Sequence, residues 1–155
     1  MADSSGKLVL FAVDGSSQCE KAFDIYLKTI HQKGHTVGLL HVHDITNVIV
    51  RIPLGADLPA EAIEKIIQES WDKVDDIIDK FRKKCDQHGV KYLVFLEQSG
   101  KPGEAICKVA KEKNAVLIVV GSRGLGTIRR TLLGSVSTYI VHHADIAVTV
   151  IPMPN

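Results

Sequence analysis

The chain has 155 residues, 45% of them hydrophobic, with 19 Lys and Arg against 18 Asp and Glu for a net charge of +1. This length reads as one domain over residues 1–155, able to bury about two thirds of its unfolded surface without staples. Charges that nearly cancel give no reason to expect nucleic acid or a membrane surface as partner. Cys19, Cys85 and Cys107 are scattered, odd in number and without metal-ligand spacing. Each falls in a helical pattern, so they read as reduced, small apolar residues of an intracellular protein. KLVLFAV before Asp14 is too short for the apolar part of a secretion signal, and no apolar run approaches a membrane span. The expected location is the cytoplasm.

Five short apolar runs alternate with helical patterns. The strands are expected at Lys7 to Val13, Thr36 to His43, Val90 to Gln98, Ala115 to Val120 and Ile146 to Ile151. Such alternation predicts an α/β fold, a parallel sheet wound with helices on both faces. LVLFAV and AVLIVV are apolar on both faces and suit the sheet's centre, whereas VKYLVFLEQ carries Lys91, Glu97 and Gln98 and belongs nearer an edge. The first helix is expected to begin at Ser17, where Ser17 and Glu20 have capping-box spacing, and to end before Lys33-Gly34. A second helix follows from Ile63, Ile66, Ile67, Ser70, Trp71 and Val74, continued by Ile77, Ile78 and Phe81, and stops at Gly89. A third begins at Lys101-Pro102-Gly103-Glu104, and a fourth runs from about Ser135 to His143. Between Asp44 and Ala60 the pattern fails: two prolines and a glycine mark a long connection, either a flap over a ligand or a surface insertion.

The feature that points to a ligand is GSRGLGTIRRTLLGSVS, directly after AVLIVV. A glycine-rich turn that follows a strand and opens a helix suits phosphate, because the first N–H groups of a helix lack partners and its dipole favours an anion. Glycine lets the main chain come close and takes positive φ at little cost. The turn is neither a P-loop, which needs a lysine after GxxxxG, nor a GxGxxG turn, which belongs after the first strand where this chain has AVDGSSQ. The bland alternative is that these glycines only shape turns and caps.

Ligands of open parallel sheets bind beyond the carboxyl ends of the strands, where strand order reverses. With the first and fourth strands side by side, Asp14 and Gly121 face one another across that crevice. Asp14 suits hydrogen bonds from an adenine amine or ribose hydroxyl, or it shapes the turn and caps the first helix. Ser135 and Ser137 suit phosphate, with Ser135 alternatively a helix cap. Arg123 is placed to neutralise phosphate; Arg129 and Arg130 read as solvated loop charges. His41 and His43 share a strand face with metal-compatible spacing, but no third ligand is evident, and no metal site or catalytic triad is assigned. His142 and His143 sit at a helix C-terminus, where positive charge is favoured.

Gly121, Gly124, Gly134 and Ser135 match, without a gap, the Gly-x-x-Gly, nine residues, Gly-Ser pattern. In this the chain resembles the ATP-binding branch of the universal stress proteins, together with AVDGS at 12 to 16, HVHD at 41 to 44, VVGSRG at 119 to 124 and the closing IAVTVIP. The resemblance covers essentially the whole chain. It implies a Rossmann-like sheet of strand order 3-2-1-4-5 and a homodimer joined through the last strand, around Ala147 to Ile151. It also implies that Ala12, Val13 and Asp14 flank adenine and ribose, with the main chain of Val42 on adenine. Gly121, Ser122, Arg123 and Gly124 would wrap ribose and phosphate. Gly134, Ser135, Val136 and Ser137 would hold the phosphates, with Mg²⁺ or Mn²⁺ bridging phosphate oxygens. The expected function is regulatory: a stress-response protein that binds ATP or AMP, acts on a protein partner and hydrolyses ATP weakly at most. The alternatives are an ATP-hydrolysing or nucleotidyl-transferring enzyme, and a chaperone-like scaffold with a vestigial site.

Overall fold

The computed structural model describes residues 6–122 and 133–152. Five strands, β1 (Leu8–Ala12), β2 (Thr36–His43), β3 (Tyr92–Gln98), β4 (Leu117–Gly121) and β5 (Ala147–Ile151), form one sheet in the order β3-β2-β1-β4-β5. Every neighbouring pair is parallel. The order is the one expected: β1 lies beside β4 with Val9 opposite Leu117 and Phe11 opposite Val119, and the polar-tipped β3 is at an edge.

Parallel neighbours require crossovers, and the helices supply them on both faces. Along β1, Val9, Phe11 and Val13 pack with α1 (Ser17–Thr29) and α3 (Ala60–Gln87); Leu10 packs on the other side with α4 (Pro102–Glu112) and α5 (Ser135–His143). The first core is aromatic. Phe11 meets Phe23 edge-on at 4.8 Å between ring centroids, Phe23 meets Phe81 at 5.1 Å, and Tyr26 closes the group. The second is aliphatic, from Leu40, Ile118, Val120, Ile106, Val109 and Ile140. Here α4 lies so close to α5 that a Cβ on Gly103 would stand 2.7 Å from the Tyr139 ring.

Two expectations need correction. The side chain that caps α1 is Ser16, not Ser17: its Oγ accepts the Cys19 N–H at 3.0 Å, and Ser17 is the first helical residue. The Ser17–Glu20 box therefore does not form. Glu20 instead reaches Lys80 of α3 at 3.3 Å. The 44–60 connection also holds a helix that periodicity missed, α2 (Ile45–Ile49). Asp44 caps it, accepting N–H bonds from Thr46 at 3.0 Å and Asn47 at 3.4 Å. Five residues are too few to display a helical period, so only the cap could have announced it.

Candidate functional site

The carboxyl ends of β1, β2 and β4 surround a cavity of about 300 Å³, closed on one side by the start of α5. Of the sequence-nominated residues, Ala12, Val13, Asp14, Val42, Gly121 and Ser122 line it from the sheet, and Gly134, Ser135, Val136 and Ser137 line it from α5. Arg123 and Gly124, with Arg129 and Arg130, lie outside the described residues. The cavity thus brings together the two segments that sequence linked only by spacing. It is a size that accepts a small ligand.

Each wall follows from local chemistry. After β1 the chain must turn sharply into α1, and Gly15 takes φ +78° to do so; a Cβ there would also strike Ile77 of α3 at 2.6 Å. Asp14 braces this turn, its Oδ1 accepting the Ser16 N–H at 2.9 Å and the Ser16 hydroxyl at 2.6 Å. Asp14 therefore does shape the turn, while also lining the cavity. On β4, a Cβ at Gly121 would sit 3.2 Å from the Ala22 Cβ, so the missing side chain admits α1 as well as opening the cavity.

At the start of α5, Gly134 is the N-cap with φ −64° and ψ 163°, an ordinary extended conformation. Its value there is the absence of a side chain and not a left-handed φ. Among the described residues no side chain caps the helix. Ser135 is thus not the cap, and Ser137, buried, donates its hydroxyl to the Gly134 carbonyl at 3.0 Å. The first N–H groups of α5 are consequently left to whatever fills the cavity or to water. That is the electrostatic character of an anion site.

The wall from β2 is held by histidines. His41 Nδ1 donates to the Val13 carbonyl at 2.7 Å, which ties β2 to the end of β1 and leaves Nε2 as the acceptor of the neutral ring. His43 Nε2 lies 3.0 Å from Ser70 Oγ, whose own proton goes to the Ile67 carbonyl at 2.6 Å; the histidine is therefore the donor. The two rings are 6.2 Å apart and serve separate partners. Burial, then the neighbouring His41, hold the His43 imidazole below its ordinary value. Among the described residues no three His, Cys, Asp or Glu side chains converge as metal ligands.

Several lining residues had not been nominated. Ser16, Gln18 and Cys19 come from the start of α1, Asp44 and Asn47 from α2, and Pro102 and Ile106 from α4. Asp44 and Asn47 were findable, since an Asp three residues ahead of Asn in a broken pattern is a cap signal. The Cys19 thiol donates to the Ala12 carbonyl at 3.3 Å, and burial pushes it up to about 12, so it is a packing group and not a nucleophile. The Asp44 carboxyl is held below its ordinary value, chiefly by the Thr46 hydroxyl.

Comparison with known proteins agrees with this architecture. Universal stress protein YxiE of Bacillus subtilis is 32% identical over 130 residues, 83% of this chain and 87% of that protein. The structure of the hypothetical protein MJ0577 superposes with a TM-score of 0.76 at 23% identity, covering 97% of this chain and 99% of the other. A universal stress protein family protein from Arabidopsis thaliana, with AMP bound, superposes with a TM-score of 0.68 at 26% identity, over 96% of this chain and 92% of the other. The sequence profile of the Universal stress protein family matches residues 7–152. The chain belongs to the universal stress protein family.

Proposed function

We propose that this chain binds an adenine nucleotide, ATP or AMP, in the cavity between β1, β4 and α5, and acts as a stress-response regulator on a protein partner. The observation that carries the reading is the meeting of a β1–β4 crevice with a helix start that no side chain of the described residues caps. The AMP bound to the Arabidopsis relative supports the ligand class. In this reading Ala12, Val13, Asp14 and Val42 take the adenosine end. Gly121, Ser122, Arg123 and Gly124 wrap ribose and phosphate, and Gly134 to Ser137 hold phosphate. Mg²⁺ or Mn²⁺ would arrive on phosphate oxygens, which suits a hard cation and a wall offering hydroxyls and main-chain N–H groups rather than a cage of carboxylates.

Hydrolysis is weak at most. Phosphoryl transfer needs a positioned base or a water-orienting group. The described carboxylates of the wall are engaged in turns and caps, Asp14 with Ser16 and Asp44 with Thr46 and Asn47. The proposal includes a homodimer joined along β5, which has only β4 beside it in the sheet, and a cytoplasmic location. Among the described residues no helix is long and apolar enough to cross a membrane.

Calorimetric titration of nucleotide-stripped protein with ATP and AMP, with and without Mg²⁺, tests the reading. Micromolar binding, about −8 kcal/mol, is expected. Gly134→Val should abolish it while the circular dichroism spectrum stays unchanged, because a branched side chain would stand where phosphate approaches α5. Absence of heat and of thermal stabilisation with both nucleotides would overturn the proposal.

A further inference from the structure

The apolar stripe of α3 does not end where the core ends. Val74, Ile78, Phe81 and Cys85 are buried in the aromatic core, with Trp71 and Ile77 packed at its margin. Ile63, Ile66 and Ile67 continue the stripe but join neither core cluster and are half-buried. The reason is length: 28 helical residues outrun an eight-residue β2 by about ten residues. The overhang is the N-terminal end of α3, beyond the carboxyl edge of the sheet, where Ser70 meets His43.

More apolar surface lies beside it. The α2 helix packs on α3; its last residue, Ile49, is exposed, and the connection that follows exposes Val50 (80% exposed) and Leu54 (fully exposed). On the edge strand, Leu96 is exposed and shares the α3-facing parity of Tyr92 and Val94. Single exposed apolar residues need no explanation, but a group carried by one helix overhang and its flanking loop does.

The charges around this surface are one-sided. Residues 60–69 of α3 carry Glu61, Glu64 and Glu69 against Lys65, and the connection before them carries Asp57 against Arg51. None of those four carboxylates is in an ion pair among the described residues. Three of the four basic residues of the C-terminal half are already engaged: Lys80 with Glu20, Lys84 with Asp24 and Arg82 with Asp79.

We infer that the α2–α3 overhang is a docking surface for an amphipathic helical segment of a partner protein, apolar on one face and flanked by Lys and Arg. Exposed apolar side chains beside a helix are a common seat for the apolar face of such a segment. The acidic rim selects a basic flank and steers its approach. A symmetric second copy would set the same acidic rim against itself, and an anionic membrane would be repelled. The inference stands apart from the nucleotide reading, since its surface uses none of the residues assigned to phosphate.

The test titrates the full chain into a fluorescent Leu–Lys peptide of about 18 residues with helical apolar periodicity, followed by anisotropy. Saturable binding that weakens with added NaCl is expected, with a sequence-scrambled Leu–Lys peptide and a Leu–Glu peptide of the same pattern binding at least about tenfold more weakly. The double substitution Val50→Ser with Leu54→Ser removes two exposed side chains and should weaken the Leu–Lys peptide by about tenfold or more without changing the melting temperature. Glu61→Lys with Glu64→Lys should weaken it as well. Equal binding of the scrambled or Leu–Glu peptide, or unchanged binding by the Val50→Ser, Leu54→Ser protein, would overturn the inference. So would sedimentation showing that the same pair of serines dissociates a dimer, which would make the occupant a second copy.

Discussion

The two halves of α3 obey the same sequence rule and meet different fates. Both repeat apolar residues at helical spacing, yet Val74, Ile78, Phe81 and Cys85 are buried while Ile63, Ile66 and Ile67 are only half covered. Periodicity reports which face of a helix is apolar. It does not report whether anything lies opposite, because that depends on how far the sheet extends. The charges differ in the same way: Lys80 and Lys84 of the C-terminal half pair with α1, and the acidic residues of the N-terminal half face no described cation within ion-pair distance. One half of the helix is therefore fold, and the other is surface carried by the fold.

Stability measurements can break this division. Phe81→Ala removes a fully buried ring that packs on Phe11 and Phe23, and should cost about 3–5 kcal/mol in denaturant unfolding. Ile66→Ala, on the same stripe but beyond the core, should cost about 1 kcal/mol or less, since half-buried surface returns only part of its transfer energy. Equal losses in the two variants would show that the overhang is core after all.

A finer probe sits at the boundary, where Ser70 accepts the His43 proton. The imidazoles of His43 and His31 are both held below the ordinary value of 6.5, by burial first and then by a neighbouring histidine. A group with a lowered folded value binds protons more readily when unfolded, so stability is fully present above about 6.5 and is lost as pH falls below it. The melting temperature should therefore decline from about pH 7 towards pH 5, and His43→Gln should flatten part of that decline. A slope that His43→Gln leaves unchanged would remove His43 from the account.

Much of this was readable in the chain. Alternating apolar runs and helical stripes gave the five strands within two residues, and the doubly apolar β1 and β4 announced their place at the centre. The spacing of Gly121 from Gly134 was legible as one ligand feature, and both ends do line one cavity. Two of the misses were of short range. Adjacent serines at 16 and 17 offer equivalent hydroxyls, and only the φ +78° turn at Gly15, braced by Asp14, decides which one faces the helix start. The α2 helix is shorter than two helical turns and so carries no period. The tie between His43 and Ser70 joins residues 27 apart in sequence, and it exists because α3 passes over the end of β2.

The place of β1 has a consequence for how the chain is made. The first strand of the sheet in chain order is the middle one, and its partner Leu117 lies about a hundred residues after Val9. Contacts so distant in sequence are slow to form, because a long loop must close before the pairing repays it. During synthesis β1 can pair early with β2, while its β4-facing edge stays open until β4 has emerged. That edge is the row of unpaired N–H and C=O groups most prone to capture the wrong strand. The fold thus completes its central pair late although one of its strands comes first in the sheet's chain order.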